Sequence, residues 1–265
     1  MDLELRGKTA IVTGGSSGIG KAIALGLAQE GVDVAICARG KEALTAAAEE
    51  ISKATGRKVV PLTCDVGRQA DVEAMVRAAA SALGHIDILI NNAGKPGGLA
   101  NGPLQDVTDE AMLGDLNVKY MGYLRCARAV APLMKERQWG RMIHIGGNSA
   151  RRSGTYSTGA RNIAIVHLSK TLADELGPYG ITSNVVHPGI TRTPHIDRSA
   201  EQRAKASGAT PGEIMKQMAM DNATRRLVDA SEVAHVVVFL ASPKSIAVTG
   251  EVIGATGGKG QAVFP

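Results

Sequence analysis

Thr13-Gly14-Gly15-Ser16-Ser17-Gly18-Ile19-Gly20 is the stretch on which the fold turns. A short apolar run at residues 8–13 leads into it, and a helix-like stretch at 19–30 leads out. Glycines spaced Gly14-x-x-x-Gly18-x-Gly20 let the backbone approach a pyrophosphate closely. The helix that follows aims free N–H groups and a partial positive charge at the same place. A glycine trio alone also suits a βα loop that merely needs positive φ. Its position at the first strand–helix junction of a βαβ unit points instead to a dinucleotide. Gly14, Ser16, Ser17, Gly18, Ile19 and Gly20 are therefore candidate cofactor-binding residues.

Outward from this turn the pattern alternates. Apolar runs at 32–38, 58–63, 86–90, 141–145 and 181–187 are interleaved with helical stretches at 41–53, 69–83, 109–136 and 159–176. Such alternation is the mark of right-handed βαβ crossovers. The expected fold is α/β: a doubly wound parallel sheet of Rossmann type in three α/β/α layers, one domain over 1–265. Aromatics are only 3% of the chain, so the core must come from small aliphatic residues, which suits a parallel sheet between close-packed helices. Residues 193–229, rich in Met, Ala and charge, read as a helical excursion, followed by a helix at 231–241 and a last strand at 250–253.

The end of the second strand discriminates between cofactors. An acid there would bind the ribose hydroxyls and repel a 2′-phosphate. This chain has Ala38-Arg39, and a guanidinium is a good phosphate partner. NADP(H) is expected over NAD(H), which stays possible because Arg39 can also be a plain surface charge.

At this point the chain resembles the short-chain dehydrogenase/reductase family. The resemblance rests on the glycine turn, Cys64-Asp65-Val66, Asn91-Asn92-Ala93-Gly94, Asn117, Pro188-Gly189 and Thr249-Gly250-Glu251…Gly257-Gly258. It implies that Asp65 and Val66 lie by the adenine and that Asn92, Ala93 and Gly94 run along the cofactor. It further implies that Pro188, Gly189, Ile190, Thr191 and Thr193 contact the nicotinamide carboxamide and phosphate. A substrate lid would fall at about 194–226, and members are usually homodimers or homotetramers.

The family's chemistry usually needs Asn, Ser, Tyr and Lys, with Lys four residues after Tyr on one helix face. Asn117 is present, in Leu116-Asn117-Val118. Counting back without a gap from Leu168-Ser169-Lys170 puts Thr158 at the Tyr position and Asn162 at the Lys position. Counting on from Ile143-His144-Ile145 puts Gly147 at the Ser position. Ser149 and Tyr156 are the nearby replacements, giving Asn117, Ser149 and Tyr156 as catalytic candidates. If Tyr156 turns inward, Arg161 or Asn162 can stabilise a phenolate or bind the ribose. The plain alternative is a loop tyrosine and a helix-capping serine.

The resemblance implies an NADP(H)-dependent oxidoreductase moving hydride to or from a small organic carbonyl, alcohol or activated alkene. The altered triad leaves room for a catalytically silent dinucleotide-binding protein. His144, His167 and His187 lack zinc-ligand spacing, so no metal is expected. The formal charge of +5 is dispersed and carries no basic cluster with aromatics, so no nucleic-acid partner is expected. No apolar run reaches membrane-span length, and Cys37, Cys64 and Cys126 show no paired spacing, which together suggest a cytoplasmic protein with reduced thiols.

Overall fold

The computed structural model describes residues 1–100 and 102–260. Its strands are β1 (Thr9–Thr13), β2 (Asp33–Ala38), β3 (Val59–Thr63), β4 (Ile88–Asn91), β5 (Gly140–Ile145), β6 (Ile181–Pro188), β7 (Thr191–Arg192), β8 (Val228–Asp229) and β9 (Val252–Ala255). The helices are α1 (Gly18–Gln29), α2 (Lys41–Thr55), α3 (Gln69–Leu83), α4 (Asp109–Asp115), α5 (Gly122–Glu136), α6 (Tyr156–Leu176), α7 (Pro194–Ser207), α8 (Pro211–Ala219) and α9 (Ala230–Ala241).

Seven strands form one parallel sheet in the order β3-β2-β1-β4-β5-β6-β9. Side chains alternate between its faces with the period of two that a strand imposes. Ala10, Val12, Val34, Ile36, Ile88 and Ile90 pack on one face with Ile23 and Leu27 of α1, Leu44 and Ile51 of α2, and Val233 and Val237 of α9. Ile11, Ala35, Cys37, Leu89 and Met142 pack on the other with α3, α5 and α6. This is the expected doubly wound three-layer fold.

Strand order reverses between β1 and β4, which opens a crevice at their carboxyl ends. The glycine turn leaves one side of it and Asn92–Gly94 the other. The helical reading at 109–136 resolves into α4, a π-helical segment (Leu116–Met121) and α5. β9 begins two residues later than the sequence suggests, because Gly250 takes φ +75° in a turn. The excursion at 193–229 holds α7 and α8, which share a small core of Ala200, Ala204 and Ile214. Its two ends are tied by the β7–β8 pairing. Among the described residues, no helix is long and apolar enough to cross a membrane, and no group of His, Cys, Asp and Glu is arranged to hold a metal ion.

Candidate active site

The glycine turn, the candidate phosphate cradle, is held from two sides. Gly14 and Gly15 donate their N–H groups to the Cys37 carbonyl, which fixes the turn to β2. Gly14 sits at φ +68°, where a side chain would be strained. A Cβ at Gly20 would collide with the Gly14 carbonyl, so α1 can start this close to β1 only with glycine there. Asn92 Nδ2 donates to the carbonyls of Thr13 (3.0 Å) and Gly14 (3.2 Å), while the N–H groups of Asn92 and Ala93 donate to Thr13 Oγ1. No acid occupies the first turn of α1, which keeps its dipole open to an anion. On the far side, Thr193 packs against Gly18, so the loop after Pro188 closes over the turn.

Arg39 is exposed immediately beyond β2, at the rim of the crevice. Asp65 is partly buried, with Oδ1 accepting from the Gly67 N–H at 2.9 Å. Val66 is buried and stands against Gly122 as part of the wall. Thr191 is buried, with its hydroxyl donating to the Gly189 carbonyl.

The catalytic candidates separate. Ser149 is held against α6: Asn162 Nδ2 donates to its Oγ at 2.8 Å, and Oγ donates to the Thr158 carbonyl at 3.2 Å. It does not cap α6, whose N-cap is Thr155. Thr158 and Asn162, four residues apart on α6, are both buried, Asn162 against Gly147 and Thr158 against Gly98. Tyr156 does not join them. It opens α6 and is 46% exposed, because two residues on a helix are about 200° apart and Tyr156 faces away when Thr158 faces in. Arg161 is not free to assist it, being buried in an ion pair with Asp115 (2.7 Å) and donating to the Lys95 carbonyl (2.9 Å).

Asn117 also stands apart from Ser149. Its side chain is exposed, donates to the Gly67 carbonyl at 3.2 Å and accepts from Arg125 at 2.7 Å. That places it on the wall beside Asp65, toward the expected adenine end.

Lys119, two residues on, is the group that enters, and the sequence reading overlooked it. Its side chain is 7% exposed, lies over Gly94, and donates from Nζ to the Gly146 carbonyl at 3.0 Å. Burial, reinforced by the nearby Arg161 charge and opposed by Asp115, pulls its pKa from 10.5 to about 7. Asp115 cannot neutralise it fully, because Oδ1 is taken by Arg161 and Oδ2 by the Ser157 hydroxyl and the Leu99 N–H. The signal was available: Asp115, Lys119, Gly122, Tyr123, Cys126, Val130 and Met134 form one buried stripe at helical spacing, and Asn117 is off it.

His187 completes the floor. Its Nδ1 accepts from the Gly147 N–H at 3.0 Å, so the neutral ring carries its proton on Nε2, which is buried without a partner. Burial, then the Arg151 and Lys119 charges, hold its pKa down to about 4. Asn162 Oδ1 is likewise a buried acceptor without a partner. Unmatched buried polar atoms cost roughly 1–3 kcal/mol each, so a donor and an acceptor left open beside a glycine cradle fit a polar cofactor. The glycine turn and these open polar atoms suit a dinucleotide cofactor.

The chain matches, over residues 14–259, the family model described as enoyl-(acyl carrier protein) reductase. It belongs to the short-chain dehydrogenase/reductase family of NAD(P)-dependent oxidoreductases. It is 35% identical over 251 residues to the short-chain reductase protein NovJ of Streptomyces niveus, covering 94% of this chain and 93% of that one. It is 31% identical over 254 residues to the NADPH-dependent reductase BacG of Bacillus subtilis, covering 95% and 97%. The structure of L-sorbose reductase from Gluconobacter frateurii, complexed with NADPH and L-sorbose, superposes with a TM-score of 0.95 at 31% identity over 99% of this chain and 100% of that one.

Proposed function

We infer that this chain is an NADP(H)-dependent oxidoreductase that moves hydride between the cofactor and a small organic carbonyl or its alcohol. The observation that carries this is the complete cradle, braced by Asn92 and followed by Arg39 where an acid would mark NAD(H). Two of the relatives bind or use NADPH by their names, and one of those acts on a ketose. The silent-module reading is set aside: its relatives are reductases, and the pocket still gathers a hydroxyl at Ser149 and an ionisable cation at Lys119.

Bound there, the cofactor supplies or takes up hydride at its nicotinamide ring. The chain orients and stabilises. Gly14, Ser16, Ser17, Gly18, Ile19 and Gly20 hold the pyrophosphate, Arg39 the 2′-phosphate, and Asp65 and Val66 the adenine edge. Asn92, Ala93, Gly94 and Asn162 line the ribose, and Pro188, Gly189, Ile190, Thr191 and Thr193 the carboxamide. Ser149 polarises the carbonyl oxygen. Residues 194–226 act as the substrate lid of this single domain. The protein works as a homodimer or homotetramer paired through its long helices, where Ile163 of α6 is 55% exposed. It resides in a reducing, cytoplasmic compartment, in keeping with free buried thiols at Cys37, Cys64 and Cys126.

The test is NADPH oxidation followed with L-sorbose, ethyl acetoacetate and 2,3-butanedione. Turnover of at least one carbonyl is expected. Tight NADPH binding with no turnover across these and a broader carbonyl panel would return the silent module.

A further inference from the structure

We propose that Lys119, reaching in from the π-helical segment opposite α6, is the proton-transfer residue of this site, exchanging places with the lysine that the family carries on α6. The proposal rests on the oxidoreductase reading above and adds the residue that handles the proton.

Three features of the pocket converge on it. First, the Tyr and Lys that ordinarily move a proton are missing from their places on α6: Thr158 and Asn162 fill those positions, and neither titrates. Second, the lysine and asparagine have changed walls. Asn162 approaches Gly147 from α6, while Lys119 binds the carbonyl of the adjoining Gly146 from the other side. Both side chains thus meet at the loop that carries Ser149. The stem of Lys119 covers Gly94 while its ammonium binds the Gly146 carbonyl, so the side chain spans the loops after β4 and β5. Third, its surroundings leave its proton mobile. The groups that face it are Asp115 on its own helical run, Arg161 from α6 and His187 from β6. Asp115 is saturated by Arg161, Ser157 and Leu99, and His187 is neutral near pH 7. No carboxylate lies within ion-pair distance of Nζ among the described residues, so the charge is held by a carbonyl alone. Tyr123 is buried nearby, but its hydroxyl is spent on the Ile145 carbonyl and its pKa is pushed up by burial, which leaves it no part in proton transfer. A lysine desolvated in this way titrates near neutrality, where a general acid is most effective.

The step balances without a further reactant. As hydride adds to the carbonyl carbon, the C=O π pair becomes a lone pair on oxygen. One Nζ–H bond of Lys119 breaks and an O–H bond forms, giving the alcohol and a neutral amine. Solvent returns the proton to the amine. The Ser149 hydroxyl turns from the Thr158 carbonyl, to which it donates in this structure, and donates to the oxygen while its charge develops. Oxidation runs the same transfers backwards, with the neutral amine as base.

Two measurements test this. In protein labelled with carbon-13 at lysine Cε, the Lys119 resonance is assigned by its loss in Lys119→Met. It is expected to titrate near pH 7 and to shift when NADPH is added. Titration near the ordinary lysine value, or a resonance that ignores NADPH, overturns the proposal. In steady-state reduction of whichever carbonyl turns over, Lys119→Met and Lys119→Arg are both expected to lose roughly 100-fold or more in kcat. Their KM for NADPH should stay within about threefold, and their residual kcat should no longer fall as pH rises through about 7. Arginine keeps the charge and does not release the proton, so a Lys119→Arg enzyme with near wild-type kcat and an unchanged pH profile refutes the role. A wild-type enzyme with no carbonyl turnover instead refutes the oxidoreductase reading, which separates the two failures.

Discussion

Replacing Lys119 by Met is expected to stabilise the folded protein, and to do so in a pH-dependent way. The buried ammonium lies 3.0 Å from the Gly146 carbonyl and has no carboxylate of its own. A pKa drawn from 10.5 to about 7 corresponds to roughly 5 kcal/mol of folding free energy spent on keeping that charge inside. Met fills a similar volume without charge but leaves the carbonyl unbonded, which offsets part of the gain. A net increase of about 1–4 kcal/mol is expected near pH 6. Between about pH 7 and 10.5 the unfolded chain holds the lysine proton and the folded chain does not, so wild-type stability climbs through that window. Below it both states are protonated and the full cost stands. The advantage of the Met variant should therefore be greatest below pH 7 and shrink toward about pH 10. Guanidinium unfolding followed by circular dichroism at about pH 6, 8 and 10 measures it. A gap that is constant with pH, or a Met variant less stable than wild type near pH 6, would show that Lys119 is not a strained buried cation.

Three further expectations follow from the same geometry. Arg161→Leu strands the buried Asp115 carboxylate and should cost roughly 3–5 kcal/mol in denaturant unfolding; a loss under about 1 kcal/mol would mean that the pair is not dry. Gly20→Ala forces a Cβ into the Gly14 carbonyl, so NADPH affinity should fall by at least about tenfold in a fluorescence titration, and an unchanged affinity would dissociate the turn from the cofactor. Ser149→Ala should lower kcat by about 10- to 1,000-fold with NADPH affinity retained, whereas Tyr156→Phe, at an exposed position, should leave kcat within about twofold; the reverse order would restore Tyr156 to the chemistry.

Much of this molecule can be read from its sequence, and the limits have physical causes. The glycine turn and the alternating apolar runs report backbone conformation and burial, which are local or periodic properties, and the sheet obeys them strand by strand. The helical excursion at 193–229 and the run that forms β6 were legible for the same reason. The candidate site depends instead on which side chains meet beyond the carboxyl ends of β4, β5 and β6. Asn117 matched the expected residue type, but helical phase turns it out to Gly67 and Arg125 and turns Lys119 in. Tyr156 faces away on the same ground, two residues out of phase with Thr158. Phase could have been counted from the buried stripe beginning at Asp115. The Arg161–Asp115 pair could not, because it joins residues far apart in sequence that meet only after α6 docks on α4. Burial dominates the electrostatics of Lys119 and that pair modulates it, so the character of the site emerges only in three dimensions.

The account stands most directly on the cofactor, and a side-by-side titration of NADPH and NADH against wild type and Arg39→Ala tests it. Wild type should bind NADPH more tightly by at least about tenfold, and Arg39→Ala should close most of that gap by weakening NADPH alone. Failure to bind either nucleotide, or an equal loss for both on removing Arg39, would contradict it.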